Sequence, residues 1–367
     1  MSSHDIVGDL GTELTPWGRL VWRVVAHGLP QQPGLLTAGL NRERPDDEPL
    51  DAKMWRQLTL AVKRHRVPGL LVAAIADGAL PADDRQRLDA HEAHVDACST
   101  VLGLERRLIE VVDLLEDADI EVIALKGSVH AHLLYPDPAL RHFGDVDVLV
   151  RSERLGDAVQ ELARHLGAHR QVPELSRSFD RRFAKGVTVR DPAGTEIDVH
   201  RTLLFGTYAF RIDLNELFGS AVHLEVGGRR IRALDPETRL LHTSYHAALG
   251  DPRPRGNSMR DLAESARFVD LDHDRVVDLA GAWRCEAVLM RAFALQKHLL
   301  GQDVSITSPV RFDDYSPTRA DRAAINSYVG TRRSHLAKVA ATLPFIDSLR
   351  EKTRFVLGAL PMRKRAP

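Results

Sequence analysis

Cysteine is nearly absent: only Cys98 and Cys285 occur in 367 residues. Two thiols cannot build a disulfide framework, and neither lies in a CxxC or has a histidine partner at a recognised metal-ligand spacing. Both are therefore expected to be small core residues in a reducing compartment. An excess of charge is missing too, since 50 Lys+Arg face 51 Asp+Glu for a net charge of −1. A protein built to grip nucleic acid usually carries a basic surplus, so a polymer substrate is disfavoured. There is no long apolar run. The most apolar short stretch, 70–76, falls far below the ~20 residues of a membrane span. Residues 1–7 lack the basic start and apolar core of a signal peptide, so a cytoplasmic location without membrane attachment is expected. Internal repeats and low-complexity segments are also missing. What remains is an ordinary globular composition, 44% hydrophobic and 28% charged. Such a chain can bury a sizeable core, and its length suggests two or three folded units.

Residues 1–116 read as a helical region. Trp17, Leu20, Val21, Val24 and Val25 recur at i, i+3 and i+4, as do Leu104, Leu108, Val111, Val112 and Leu115. A loop rich in Pro and Asp over 41–49 interrupts it, and Leu80-Pro81-Ala82-Asp83-Asp84 opens a further helix. The texture changes at Asp119. Residues 117–234 alternate short β runs (121–125, 146–150, 186–190, 195–200) with short helices, one of them capped by Ser152 and stopped by Gly167. Asp191-Pro192-Ala193-Gly194 and Gly227-Gly228 are hairpin turns. Asp235-Pro236 then starts a second helical region, 235–367, with loops at 251–258 and 307–318 and a basic tail ending Arg363-Lys364-Arg365-Ala366-Pro367. The fold class is α+β: a mixed-sheet core flanked by helical regions on both sides in sequence.

Three features of the central block carry chemistry. Gly127-Ser128 directly follows a strand and begins a helix, where small residues let backbone N–H groups approach a phosphate. Asp145 and Asp147 head the next strand, and strand alternation turns both to one face. Two such carboxylates repel each other unless a cation sits between them, and an oxygen-rich site favours Mg²⁺ or Mn²⁺. Asp198 lies on a later strand that can run beside the first. Glu196 occupies the same face of that strand and is the alternative third ligand. Three carboxylates facing a phosphate loop equip a protein for phosphoryl or nucleotidyl transfer.

The order strand, Gly-Ser, helix, Asp-x-Asp strand, then a third Asp resembles the DNA polymerase β-like nucleotidyltransferase superfamily. Residues 125–150 resemble, more narrowly, a bacterial group of uncharacterised nucleotidyltransferases. That group carries L-K-G, Y-P-D and R-x-x-x-D-x-D-x-L-V, then an acidic D-x-H strand matched by Asp198-Val199-His200. His246 and Arg260-Asp261 match the histidine and later Arg-Asp of its helical part. The close resemblance covers 121–200 and extends more weakly to about Phe268. Residues 1–100 lie outside it. It implies attack by an acceptor hydroxyl on the α-phosphorus of an NTP, ATP first among them, with pyrophosphate leaving. Asp145, Asp147 and Asp198 would be catalytic and metal-binding. Gly127 and Ser128 would hold the β/γ-phosphates, Lys126 or Arg141 would supply positive charge, and His246 and Arg260 would reach the nucleotide. The preferred acceptor is a small molecule or modified peptide. A protein-modifying adenylyltransferase and a non-catalytic nucleotide sensor are the alternatives. Arg141 otherwise pairs with Asp145, Arg260 pairs with Asp261, and His242 with His246 at i, i+4 packs against the α/β block.

Overall fold

The computed structural model describes residues 16–30, 48–172, 181–251, 253–268, 270–301, 312, 315–329, 335–346 and 348–359. Most of the 41–49 loop, part of the 307–318 loop and the basic tail lie outside these residues. Among the described residues four helices precede the sheet: α1 (Pro16–Ala26), α2 (Ala52–His65), α3 (Pro68–Ala76) and α4 (Asp84–Asp117). The expected start of α4 is observed, with the Asp83 carboxylate accepting from the Gln86 amide at 2.8 Å.

The central block then runs β1 (Val122–Leu125), α5 (Gly127–Leu134), β2 (Val146–Val150), α6 (Leu155–Leu166), β3 (His169–Arg170), β4 (Gly186–Arg190) and β5 (Glu196–His200). It finishes with α7 (Leu214–Gly219), β6 (Val222–Val226) and β7 (Arg229–Ala233). The strands form one mixed seven-stranded sheet in the order β3-β4-β5-β2-β1-β7-β6. Gly227 and Gly228 close the β6–β7 hairpin at φ 55° and 79°, a turn that needs positive φ at both positions. Ser152 does not cap α6. Residues 152–154 first make a 3₁₀ turn, with Arg154 Nη1 donating to the Asp119 carbonyl at 2.7 Å, and α6 begins after it without a side-chain cap.

Alternation along these strands sorts the two faces of the sheet. Val122, Ala124, Val146, Val148, Val150, Val187, Val189, Ile197 and Val199 all join one apolar cluster with the C-terminal half of α4 and with α6. The other face carries Ile123, Leu125 and Leu149 into a second cluster. Asp147 shares that second face with Leu149. Because one face is wholly apolar, every polar strand residue that matters for chemistry is forced onto the opposite one.

That face is roofed by the C-terminal helices α8 (Pro236–Leu249), α9 (Gly256–Ser265), α10 (His273–Trp283) and α11 (Glu286–Leu300). Helices α12 (Arg319–Val329), α13 (His335–Thr342) and α14 (Leu349–Ala359) follow. The Asp235-Pro236 start of α8 is as expected, Asp235 accepting from the Thr238 amide at 2.9 Å. Helices α1–α3 share one core cluster with α8–α11, so the two ends of the chain close over the sheet together. The contact is close: a Cβ on Gly256 would lie 2.7 Å from Val25 Cγ2 and 3.0 Å from His65 Cβ.

His65 seals this junction by accepting from the Gly256 amide at 2.7 Å through Nδ1. Burial, with Arg64 and Arg255 nearby, pushes its pKa down to about 4. Its unfolded value is near 6.5. A depressed histidine stabilises the fold above the unfolded pKa, and that stability is lost as pH falls through the folded one. Between about pH 6.5 and 4 the urea midpoint should therefore drop, with His65 contributing on the order of 1 kcal/mol per pH unit. His65→Asn should flatten part of this slope, and a midpoint independent of pH in that window would contradict the assignment.

Candidate active site

The site is built where β1 ends beside β2. Leu125 pairs with Asp147, so the chain leaving β1 turns immediately next to that carboxylate. The turn is backbone-strained. Lys126 has φ 46° and ψ −130°, and Gly127 has φ 26°. A Cβ on Gly127 would also sit 3.2 Å from the Phe143 ring. The first i→i−4 bond of α5 runs from the His130 amide to the Lys126 carbonyl at 2.9 Å, so the amides of Gly127, Ser128 and Val129 form the open first turn. Ser128 is buried and, among the described residues, its Oγ has no hydrogen-bond partner.

Strand register brings the carboxylates together. In the parallel β2–β5 pair, Asp147 stands opposite Asp198. The Lys126 ammonium lies 2.7 Å from Asp147 Oδ1, and His200 Nε2 donates to the same oxygen at 2.7 Å. Burial alone would raise the Asp147 carboxyl, but Lys126 and His200 hold it well below the usual carboxylate range. Burial raises the Asp198 carboxyl above its ordinary value, only partly offset by the Thr188 hydroxyl that donates to it at 2.5 Å. Glu196 is spoken for by Arg190, its partner across β4–β5, and both residues are half-buried. Asp145 precedes β2 and lines the same cleft as Asp147; Arg66 Nη1 stands 3.8 Å from it.

Among the described residues, Asp147, Asp198 and His200 place one ligand atom each within 4.8 Å of one another, a group able to hold a metal ion. With Asp145 alongside, the donor set is rich in carboxylate oxygen, which suits a hard divalent cation. The Lys126 ammonium against Asp147 is a stand-in positive charge that shows what this face requires. The residues fit the ion.

Two expected residues make other contacts. Arg141 lines the cleft, but its guanidinium is held by Asp261 of α9, through Nη2 to Oδ2 at 2.8 Å and Nε to Oδ1 at 3.2 Å. The alternative pairing with Asp145 is not formed. Tyr135 donates to the same carboxylate at 2.8 Å, and His130 Nδ1 donates at 3.0 Å. The Y-P-D and R-x-x-x-D-x-D motifs thus meet at one buried carboxylate. Arg260 does not reach the cleft. Its guanidinium pairs with Glu264 at 2.7 Å and donates to the Val25 carbonyl at 2.9 Å and the His27 carbonyl at 2.5 Å, tying α9 to α1. Its expected partner Asp261 is already occupied. His246 does line the cleft, its Nε2 3.2 Å from that of His242. Burial, with Lys126 close by, keeps both rings neutral.

Sequence reading missed three cations. Arg66, at the αL C-cap of α2, and Arg255 line the cleft from the two helical regions. Lys185 is pushed down to about 8 by burial and by Lys126, against the pull of Asp147 and Asp198. None lies in a motif, because each arrives from an element that only the tertiary fold brings near.

A mixed sheet brings the in-register carboxylates beside a strained Gly-Ser turn. The chain belongs to the family described as "Uncharacterised nucleotidyltransferase", whose profile matches residues 51–301, and it is a nucleotidyltransferase. Two solved structures are similar. The antibiotic-resistance factor ANT(2'')-Ia is 16% identical, covering 56% of this chain and all of that one, with a TM-score of 0.35. An antigenic nucleotidyltransferase-like protein from Paracoccidioides brasiliensis is 17% identical, covering 53% of this chain and 91% of that one, with a TM-score of 0.33. Comparison with curated proteins gives no match. Among the described residues no helix is long and apolar enough to cross a membrane.

Proposed function

We propose that this chain moves a nucleoside monophosphate from an NTP, with ATP the first donor to test, to a hydroxyl or similar group on a small molecule or modified peptide. The observation that carries the reading is Asp147 in register with Asp198, reached directly from the Lys126–Gly127–Ser128 turn. The acceptor oxygen would attack the α-phosphorus in line. The bond from that phosphorus to the oxygen bridging to the β-phosphate breaks, and pyrophosphate leaves. Asp198 is the candidate base for the acceptor proton. Asp145, Asp147 and Asp198 would hold Mg²⁺ or Mn²⁺, and a bound ion supplies charge neutralisation for the triphosphate and its leaving group. The open amides of Gly127 and Ser128 would take β/γ-phosphate oxygens, with Lys126 and Arg66 adding positive charge. Arg141 would act at one remove, fixing the approach to Asp145 through Asp261.

The test is incubation with each NTP, Mg²⁺ and a panel of small-molecule and peptide acceptors, followed by pyrophosphate release and product mass. The expected product gains one nucleoside monophosphate. NTP consumption without any nucleotidylated product would reject transfer, and turnover that requires RNA would overturn the acceptor class. Gly127→Ala supplies a local check. A side chain at φ 26° pressed against Phe143 distorts the turn, so NTP affinity should weaken about tenfold with little change in melting temperature. Unchanged affinity would remove the turn from the phosphate site.

A further inference from the structure

A second cluster of ligating side chains lies outside the nucleotide cleft. His94 and Cys98 stand one turn apart on α4, and His142 comes from the segment leading into β2. Cys98 Sγ is 3.8 Å from His142 Nε2, and 3.7 and 3.8 Å from the two ring nitrogens of His94. The three ligand atoms fall within 4.8 Å of one another. Bonds of about 2.3 Å to sulfur and 2.0–2.1 Å to nitrogen at tetrahedral angles place S and N roughly 3.5 Å apart. The observed separations are within a few tenths of an ångström of that edge.

The surroundings hold these groups together. A Cβ on Gly69 of α3 would lie 3.2 Å from His94 Cε1 and 2.8 Å from the Ala139 carbonyl oxygen, so three elements close on this point with no room to spare. His142 is buried, and among the described residues its ring nitrogens have no hydrogen-bond partner other than Cys98 Sγ. Cys98 is half-buried rather than a sealed core thiol, unlike Cys285. Burial lowers the pKa of His94 and His142, so both rings are neutral with lone pairs available near pH 7.

We infer that His94, Cys98 and His142 form a binding site for a borderline transition-metal cation of the Zn²⁺ type, separate from the carboxylate site. A thiolate and two imidazoles suit such an ion and not Mg²⁺. Binding replaces the Cys98 proton, which leaves to solvent. Three protein ligands leave a fourth position open to water. His142 lies between Arg141 and Phe143, which both line the nucleotide cleft, so the ion would staple the segment ahead of Asp145 to α4.

Co²⁺ titrated into the metal-stripped full-length chain reads this directly. The expected signal is thiolate-to-cobalt charge-transfer absorption in the near ultraviolet, lost in Cys98→Ser, kept in Asp198→Asn, and shifted to at least about tenfold higher Co²⁺ in His142→Asn. A second readout uses the unaltered protein: Zn²⁺, but not Mg²⁺, should slow alkylation of Cys98 at least about tenfold. Absence of the band in the unaltered chain, its survival in Cys98→Ser, or equal alkylation with and without Zn²⁺ would overturn the inference.

Discussion

Replacing Asp147 by asparagine is expected to lower kcat/KM for nucleotidyl transfer at least about 10³-fold, roughly 4 kcal/mol of transition-state stabilisation. The substitution keeps the volume and removes the charge. Asp147 is the point where Lys126, His200 and the β5 carboxylate converge, so no neighbour can take its place. Asp198→Asn should cost a comparable factor. Glu196→Gln should change the rate less than about threefold, because its carboxylate pairs with Arg190 at the first residue of the same strand, two positions before Asp198. A thermal melt distinguishes lost chemistry from lost fold. If Asp198→Asn retained near-normal turnover while Glu196→Gln abolished it, the assignment of the third carboxylate would be reversed.

Asp261→Asn carries the largest expected effect on stability. Its carboxylate accepts from Arg141, Tyr135 and His130, all buried. Burial would raise this carboxyl, but Arg141 and His130 hold it well below the usual range. Removing the charge leaves the Arg141 guanidinium buried and uncompensated, which costs about 3–5 kcal/mol. In a chain of this size that corresponds to a fall of roughly 5 °C in melting temperature. Arg141→Met should be similarly costly. The double variant Arg141→Met/Asp261→Asn should lose clearly less than the two singles combined, because it deletes both charges. Additive losses would mean that the two side chains contribute independently.

Local signals carried most of the sheet. β2 spans 146–150 and β4 spans 186–190, as the β-branched runs indicate, and Gly227-Gly228 closes its hairpin as written. The Asp147–Asp198 pairing was approachable because strand alternation is a property of sequence, and only the register had to be supplied by folding. Contacts across long sequence separations were not legible in the same way. The sequence suggested Arg141 with Asp145 and Arg260 with Asp261. The fold exchanges them, since α9 brings Asp261 under Tyr135 and Arg141 and turns Arg260 toward the carbonyls that end α1. Arg66 was invisible for the same reason: a helix C-cap in the N-terminal region has no local mark of belonging to a cleft. His94 and Cys98 sit one helical turn apart, but His142 lies 44 residues beyond Cys98, and only packing completes the set.

The most direct test of the central claim, that Asp145, Asp147 and Asp198 gather divalent cations for nucleotide transfer, is Mn²⁺ binding by electron paramagnetic resonance with a non-hydrolysable ATP analogue present. The expected result is analogue-dependent Mn²⁺ binding in the unaltered chain, lost in Asp147→Asn and retained in Cys98→Ser. Mn²⁺ binding that is unchanged by Asp147→Asn would contradict it.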